Sequence, residues 1–245
     1  MKYPTALATA LLSTASFAWA GSLNREVIPA TAKWMLHIDI EAVNNSQVGA
    51  CLIEHLQNQD DSPLKTIEAE IGINVLEDIY SITAFGSGEP PAKGLALEVT
   101  DKDVSVGAIA RPGENAVILA VTNDSIDGLI ERLSAEANYS KGELAGHTVH
   151  SWSNPDSDEQ WHLVQKAIKG GTRRAVLLSD NSDALIEAIK VLAGDALSIA
   201  DSKDADALVS PRSGSIIFAV ASDGGGNGWR RWCIRVASTD RQARP

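Results

Sequence analysis

Five imidazoles, two thiols and a few short polar motifs are the groups in this chain that could do chemistry. The imidazoles are His37, His55, His147, His150 and His162, and the thiols are Cys51 and Cys233. Catalytic zinc needs three protein ligands converging on one point, usually announced by His-Glu-x-x-His or paired cysteines, and neither pattern occurs. His147 and His150 flank Thr148-Val149, a strand-like pair. Residues three apart on a strand point to opposite faces, so these two imidazoles do not chelate together. Asp156, Asp158 and Glu159 offer oxygens to calcium, yet the segment lacks the central Gly and distal Glu of a helix-loop-helix site. No glycine-rich loop precedes a helix to cradle a phosphate. The residues thus name no metal ligand, no cofactor and no catalytic group.

Nucleophilic chemistry is the other possibility. Ser62-Pro63-Leu64-Lys65 fits Ser-x-x-Lys and Ser179-Asp180-Asn181 fits Ser-Asp-Asn, two of the three motifs of serine β-lactamases and penicillin-binding proteins. The third, Lys-Thr-Gly on a strand, is absent, and Lys169-Gly170-Gly171 does not replace it. Cys51 lies on a helical stripe with Val48, Leu52 and Leu56 and is expected to be a small buried apolar residue. Two cysteines are too few to staple a scaffold, and whether they are free stays open. An enzyme here would use His147, His150 or His162 with nearby carboxylates.

The elements that must position these groups follow from periodicity. From Lys33 to Glu41 the chain alternates, with Trp34, Leu36, Ile38 and Ile40 on one side and Met35, His37 and Asp39 on the other. This predicts a half-buried strand whose polar face, including His37 and Asp39, is solvated. A helix from about Ser46 to Gln57 follows. Further strands are expected at Ile79 to Phe85, Gly94 to Val99, Val104 to Ala110, Val117 to Val121, Thr148 to Trp152, Trp161 to Ala167 and Ala175 to Leu178. Asp101-Lys102-Asp103 reads as a turn.

Two segments 56 residues apart repeat an acidic start and an apolar helix face: Asp124-Ser125-Ile126-Asp127-Gly128-Leu129-Ile130-Glu131 and Asp180-Asn181-Ser182-Asp183-Ala184-Leu185-Ile186-Glu187. Each follows a short apolar strand. Asp124 and Asp180 are expected to cap the helices, with Asp127 and Asp183 in the first turn against the positive end of the dipole. Capping accounts for both acidic pairs without a cation. Together these elements predict an α+β fold, a largely antiparallel sheet with helices packed on one face and repeated strand-cap-helix units.

Composition narrows the rest. Of 245 residues, 44% are apolar and 22% charged, which suits a globular chain, and the net charge of -11 repels phosphate backbones. A nucleic-acid partner is not expected. Residues 1–20 carry one early Lys, an apolar stretch from Ala6 to Phe17 and a small-x-small end at Ala18-Trp19-Ala20, the pattern of a secretory signal peptide. That stretch is shorter than the roughly 20 residues a membrane-spanning helix needs, so no stable membrane insertion is expected after cleavage. The chain from Gly21 is expected to be exported, periplasmic or extracellular, with 20 basic against 32 acidic residues.

The acidic domain is expected to span residues 21–223. Beyond it the character changes: residues 224–245 hold five Arg, no Lys and one acid, Asp240, after the run Gly224-Gly225-Gly226-Asn227-Gly228. A third helix after Asp223 would complete the pattern, but glycines disfavour it. This predicts a basic, disordered tail, with a reading-frame change as the expected origin.

Trp34-x-x-His37-x-Asp39 after Pro29, Asp78-Ile79-x-x-Ile82-Thr83-x-Phe85-Gly86 and Gly146-His147-x-Val149-His150-x-Trp152 resemble a family of exported bacterial proteins with no assigned activity, over about residues 28–223. The resemblance implies export and a repeated α+β build, and no catalytic residue. The expected function is a noncatalytic envelope binding or scaffolding module with an unidentified ligand or envelope component as partner. The alternative is a periplasmic or secreted hydrolase, or a metal-dependent enzyme, built on His147, His150 or His162.

Overall fold

A computed structural model describes residues 23–58, 62–89, 97–99, 104–106, 115–153, 159–168, 171–202, 215–222 and 229–235. The expected signal segment, the turn at 101–103, the Asp156–Asp158 loop and the glycine run at 224–228 lie outside the described residues. The chain builds an α+β fold on a nine-stranded, wholly antiparallel sheet. Its strands are β1 (Trp34–Asp39), β2 (Ile79–Gly86), β5 (Ala116–Thr122), β6 (Tyr139–Leu144), β7 (His147–Ser153), β8 (Gln160–Ala167), β9 (Arg174–Ser179), β10 (Ser215–Ser222) and β11 (Trp229–Arg235). They lie in the order β11-β10-β1-β2-β5-β9-β8-β7-β6. β3 (Leu97–Val99) and β4 (Val104–Val106) pair separately. The helices are α1 (Ile40–Asn44), α2 (Gln47–Asn58), α3 (Pro63–Ile71), α4 (Val75–Asp78), α5 (Ile126–Leu133) and α6 (Ser182–Ala193).

The helices were expected on one face of the sheet but occupy both. Leu185, Ala188 and Ile189 of α6 pack with Met35, Phe85, Val117, Leu119, Leu177 and Phe218 in the main core. Ile126, Leu129 and Ile130 of α5 pack with Val176, Leu178, Ala120 and Leu163, which alternate with the core residues on the same strands and so face the other way. Val43 of α1 and Ile53 of α2 meet Leu36 and Ile38 on that second face. The unbroken apolar runs of β5 and β9 follow from this two-sided cover, since a strand buried on both faces has no solvated side to carry polar residues.

The expected half-buried strand is therefore corrected. β1 ends at Asp39, and Ile40 and Glu41 begin α1, because the Asp39 carboxylate accepts the Ala42 N–H at 2.8 Å and so caps a helix there. His37, expected on a solvated face, is 3% exposed beside Met35. Cys51 is also corrected. It is exposed, because Ile53 sets the inner side of α2 and a residue two positions back lies about 200° round the helix.

At α6 capping follows the expected mechanism one residue late. Asn181 caps α6, its side-chain oxygen accepting from the N–H groups of Asp183 at 2.9 Å and Ala184 at 3.0 Å. Asp180 is exposed and makes no such bond. Before α5 the oxygen of Asn123 accepts from the Ser125 N–H, and Asp124 again caps nothing. At α6 the cap is Asn181, one residue after Asp180, and at α5 Ser125 holds the cap position without a side-chain cap bond, so Asp124 and Asp180 are not the capping residues. Asp127 and Asp183 do stand in the first turns.

The basic C-terminal segment is likewise corrected over 229–235. It forms β11, antiparallel to β10 with Phe218 opposite Cys233, instead of lying disordered. Trp229, Trp232, Cys233 and Ile234 favour extended backbone, and β10 supplies an open ladder for them.

Candidate functional site

The sheet places the candidate groups by strand parity. On β7, Val149 joins the α6-side core while Trp152 packs on the α5 side, so His147 and Ser151 share the first face and His150 the second. On β8, Val164 faces α6 and Leu163 faces α5, which puts His162 on the α6 side. The β7–β8 register sets Ser151 opposite His162 and His150 opposite Leu163. His150 and His162 thus stand on opposite sides of one sheet.

Each imidazole meets a neutral hydroxyl. His162 Nδ1 is 2.8 Å from Ser151 Oγ, and His150 Nδ1 is 2.8 Å from the Tyr139 hydroxyl of β6. Burial lowers both pKa values below the ordinary imidazole range. At His150 the Lys141 charge pushes the same way, whereas at His162 the Asp180 charge pushes back. His37 belongs to neither arrangement, since its Nδ1 lies 2.9 Å from Thr83 Oγ1 across the β1–β2 ladder.

The serine motifs hold structural positions. Ser62 is buried and caps α3, accepting the Lys65 N–H at 3.5 Å, so the serine and lysine of Ser-x-x-Lys are joined by a helix cap, with Lys65 Nζ donating to the Gln57 carbonyl. Ser179 donates to the Ala116 carbonyl at 2.7 Å and accepts the Asn181 N–H at 3.0 Å, tying β9 to β5 and to the start of α6. Its register partner on β8 is His162.

Among the described residues no group of three or more His, Cys, Asp or Glu is placed to hold a metal ion. One pocket opens beside Thr31, Phe85, Asn115, Val117 and Glu187, where the Thr31 hydroxyl donates to Glu187 at 2.6 Å. Its volume of about 20 Å³ is room for roughly one water and holds no imidazole. Sequence reading missed the Ser151–His162 pair. Its signal was there: the strands containing them are joined by a short polar loop, and antiparallel pairing across such a loop brings together residues placed symmetrically about it.

No family profile matches the chain, and no curated protein matches it. Among solved structures, one described as crystal form I of TP0453 is similar at a TM-score of 0.35 and 10% identity, over 83% of this chain and 64% of that one. The chain thus spans less than two thirds of that protein's length. Among the described residues no helix is long and apolar enough to cross a membrane.

Proposed function

We propose that this protein is a noncatalytic, exported binding or scaffolding module of the cell envelope. The observation that carries the reading is the separation of the candidate imidazoles: His150 and His162 lie on opposite faces of the sheet, each joined to one hydroxyl. General acid-base or metal chemistry needs its groups convergent on one reacting atom. The signal-like residues 1–20 support the export part of the reading. Thermal-shift measurements of the secreted chain with muropeptides, Zn²⁺ and Ca²⁺ test it, because a ligand that prefers the folded state raises the melting temperature. A rise with muropeptides and none with either metal is expected. Metal-dependent stabilisation, or turnover of a muropeptide, overturns it.

The Ser151–His162 contact favours one competing reading, a serine hydrolase in which His162 takes the Ser151 proton. Labelling with a fluorophosphonate decides between them. The module reading expects no label, and label lost in Ser151→Ala and His162→Ala establishes the hydrolase.

A further inference from the structure

β6 ends the sheet, and among the described residues no strand pairs with its outer side. Ser140, Lys141, Gly142 and Glu143 are all exposed. A two-residue turn, Ala145-Gly146, joins β6 to β7, with positive φ at both residues (50° and 77°), as a tight hairpin requires. In such a hairpin Leu144 and His147 exchange backbone hydrogen bonds. The alternation along an antiparallel pair then turns the N–H and C=O of Leu144, Gly142 and Ser140 towards β7 and those of Glu143 and Lys141 outwards.

This outward ladder is self-complementary. A second β6 strand running antiparallel against it must match outward residues with outward residues. A twofold axis at Gly142 sets Lys141 opposite Glu143 of the second copy, and Glu143 opposite its Lys141. Moving the axis to either neighbouring position sets Lys141 against Lys141 or Glu143 against Glu143, which cross-strand electrostatics disfavours. One register therefore combines four backbone hydrogen bonds with two opposite-charge pairs. Gly142 sits on the axis, and its hairpin does not demand it, because a Cβ there would meet Val149 Cγ1 at an ordinary 3.6 Å. We infer that β6 is a homodimerisation edge, on which two copies of this chain pair antiparallel about Gly142 through Lys141–Glu143 contacts.

The contact is short and lies below the size of a standard stable interface, so the association is weak and concentration-dependent. Sedimentation velocity of the full chain from about 1 µM to about 1 mM reads it, within the range expected of small interfaces. The parent is expected to move from monomer towards dimer over that range. Lys141→Glu and Glu143→Lys each place like charges opposite twice and are expected to weaken dimerisation at least tenfold. The double variant Lys141→Glu/Glu143→Lys restores opposite pairs and is expected to regain the parent's dimer fraction. Far-UV circular dichroism confirms that each variant folds. Amide hydrogen exchange of Lys141 and Glu143 in the parent gives a second readout, slowing as concentration rises. A parent that stays monomeric, single variants that dimerise as the parent does, a double variant that is not restored, or open-ended polymers overturn the inference.

Discussion

His162 Nδ1 stands 2.8 Å from Ser151 Oγ on the α6 side of the sheet, with burial lowering the His162 pKa. His150, next to Ser151 in the chain, reaches Tyr139 on the other side, and its pKa is lowered by the same cause. Neighbouring positions on one strand thus serve two separate polar pairs.

These two shifts set a pH dependence. Because the folded chain holds both imidazoles below their ordinary value of 6.5, the unfolded chain binds protons first as pH falls. Stability is full above that value and declines as pH drops through it towards the lower folded-state values. Urea unfolding between pH 7.5 and 5.5 is expected to show a falling midpoint, flattened in His150→Gln and His162→Gln. A midpoint that holds or rises over this range contradicts the assignment. Asp39 acts elsewhere and with the opposite sign. Its carboxyl is raised chiefly by burial, so its contribution is present in acid and lost as pH rises through its folded-state value.

The caps separate by one residue. Asn181→Ala removes the acceptor for two N–H groups at the start of α6 and is expected to cost about 0.5 to 2 kcal/mol. Asp180→Ala and Asp124→Ala, which remove no cap, are expected to stay within about 0.5 kcal/mol of the parent. Chemical denaturation of the three variants checks this, and equal losses at Asn181 and Asp180 count against it.

Thr83→Val replaces a hydroxyl by a methyl of similar shape and leaves buried His37 Nδ1 without that partner. The expected loss is about 1 to 3 kcal/mol, the range for a buried polar group deprived of a hydrogen bond. A variant as stable as the parent shows that the contact contributes nothing.

Gly86 is required by its neighbour. A Cβ there would meet the Trp34 ring, Cζ2 and Nε1 both at 2.9 Å, so Gly86→Ala must displace a buried indole. About 1 to 3 kcal/mol of destabilisation is expected from this overpacking, whereas Gly128→Ala in α5, where nothing lies within 4 Å, is expected to stabilise by about 0.5 to 1 kcal/mol through helix propensity. Differential scanning calorimetry of the two variants tests the contrast.

If the chain is exported as proposed, its mature form begins at Gly21, after Ala18-Trp19-Ala20. Mass spectrometry of the protein in its final compartment reads the first residue. Retention of Met1 there rejects the proposed processing.

Local pattern was enough for most elements. Alternation and apolar runs placed β2, β5, β7, β8 and β9 to within a residue or two, and the stripe ahead of Gln57 placed α2. They did so because strand and helix periods are imposed by the backbone geometry of each segment alone. The opposite facing of His147 and His150 was legible for the same reason, since parity on a strand needs no knowledge of its neighbours. Long-range matters were not legible. His37 reads as a solvated polar residue until β2 and β10 flank β1, and Cys51 reads as buried until Ile53 meets Val43 and fixes which side of α2 turns inward. The pairing of Ser151 with His162 and the position of β6 at the sheet's edge depend on register and strand order. Those are set by which faces the helices cover, a sum of many weak contacts between residues far apart in the chain. The sequence by itself determined the periodic elements, the opposed histidines and the acidic balance. Only the tertiary structure decided what each face meets, because burial belongs to pairs of elements and no single segment carries it.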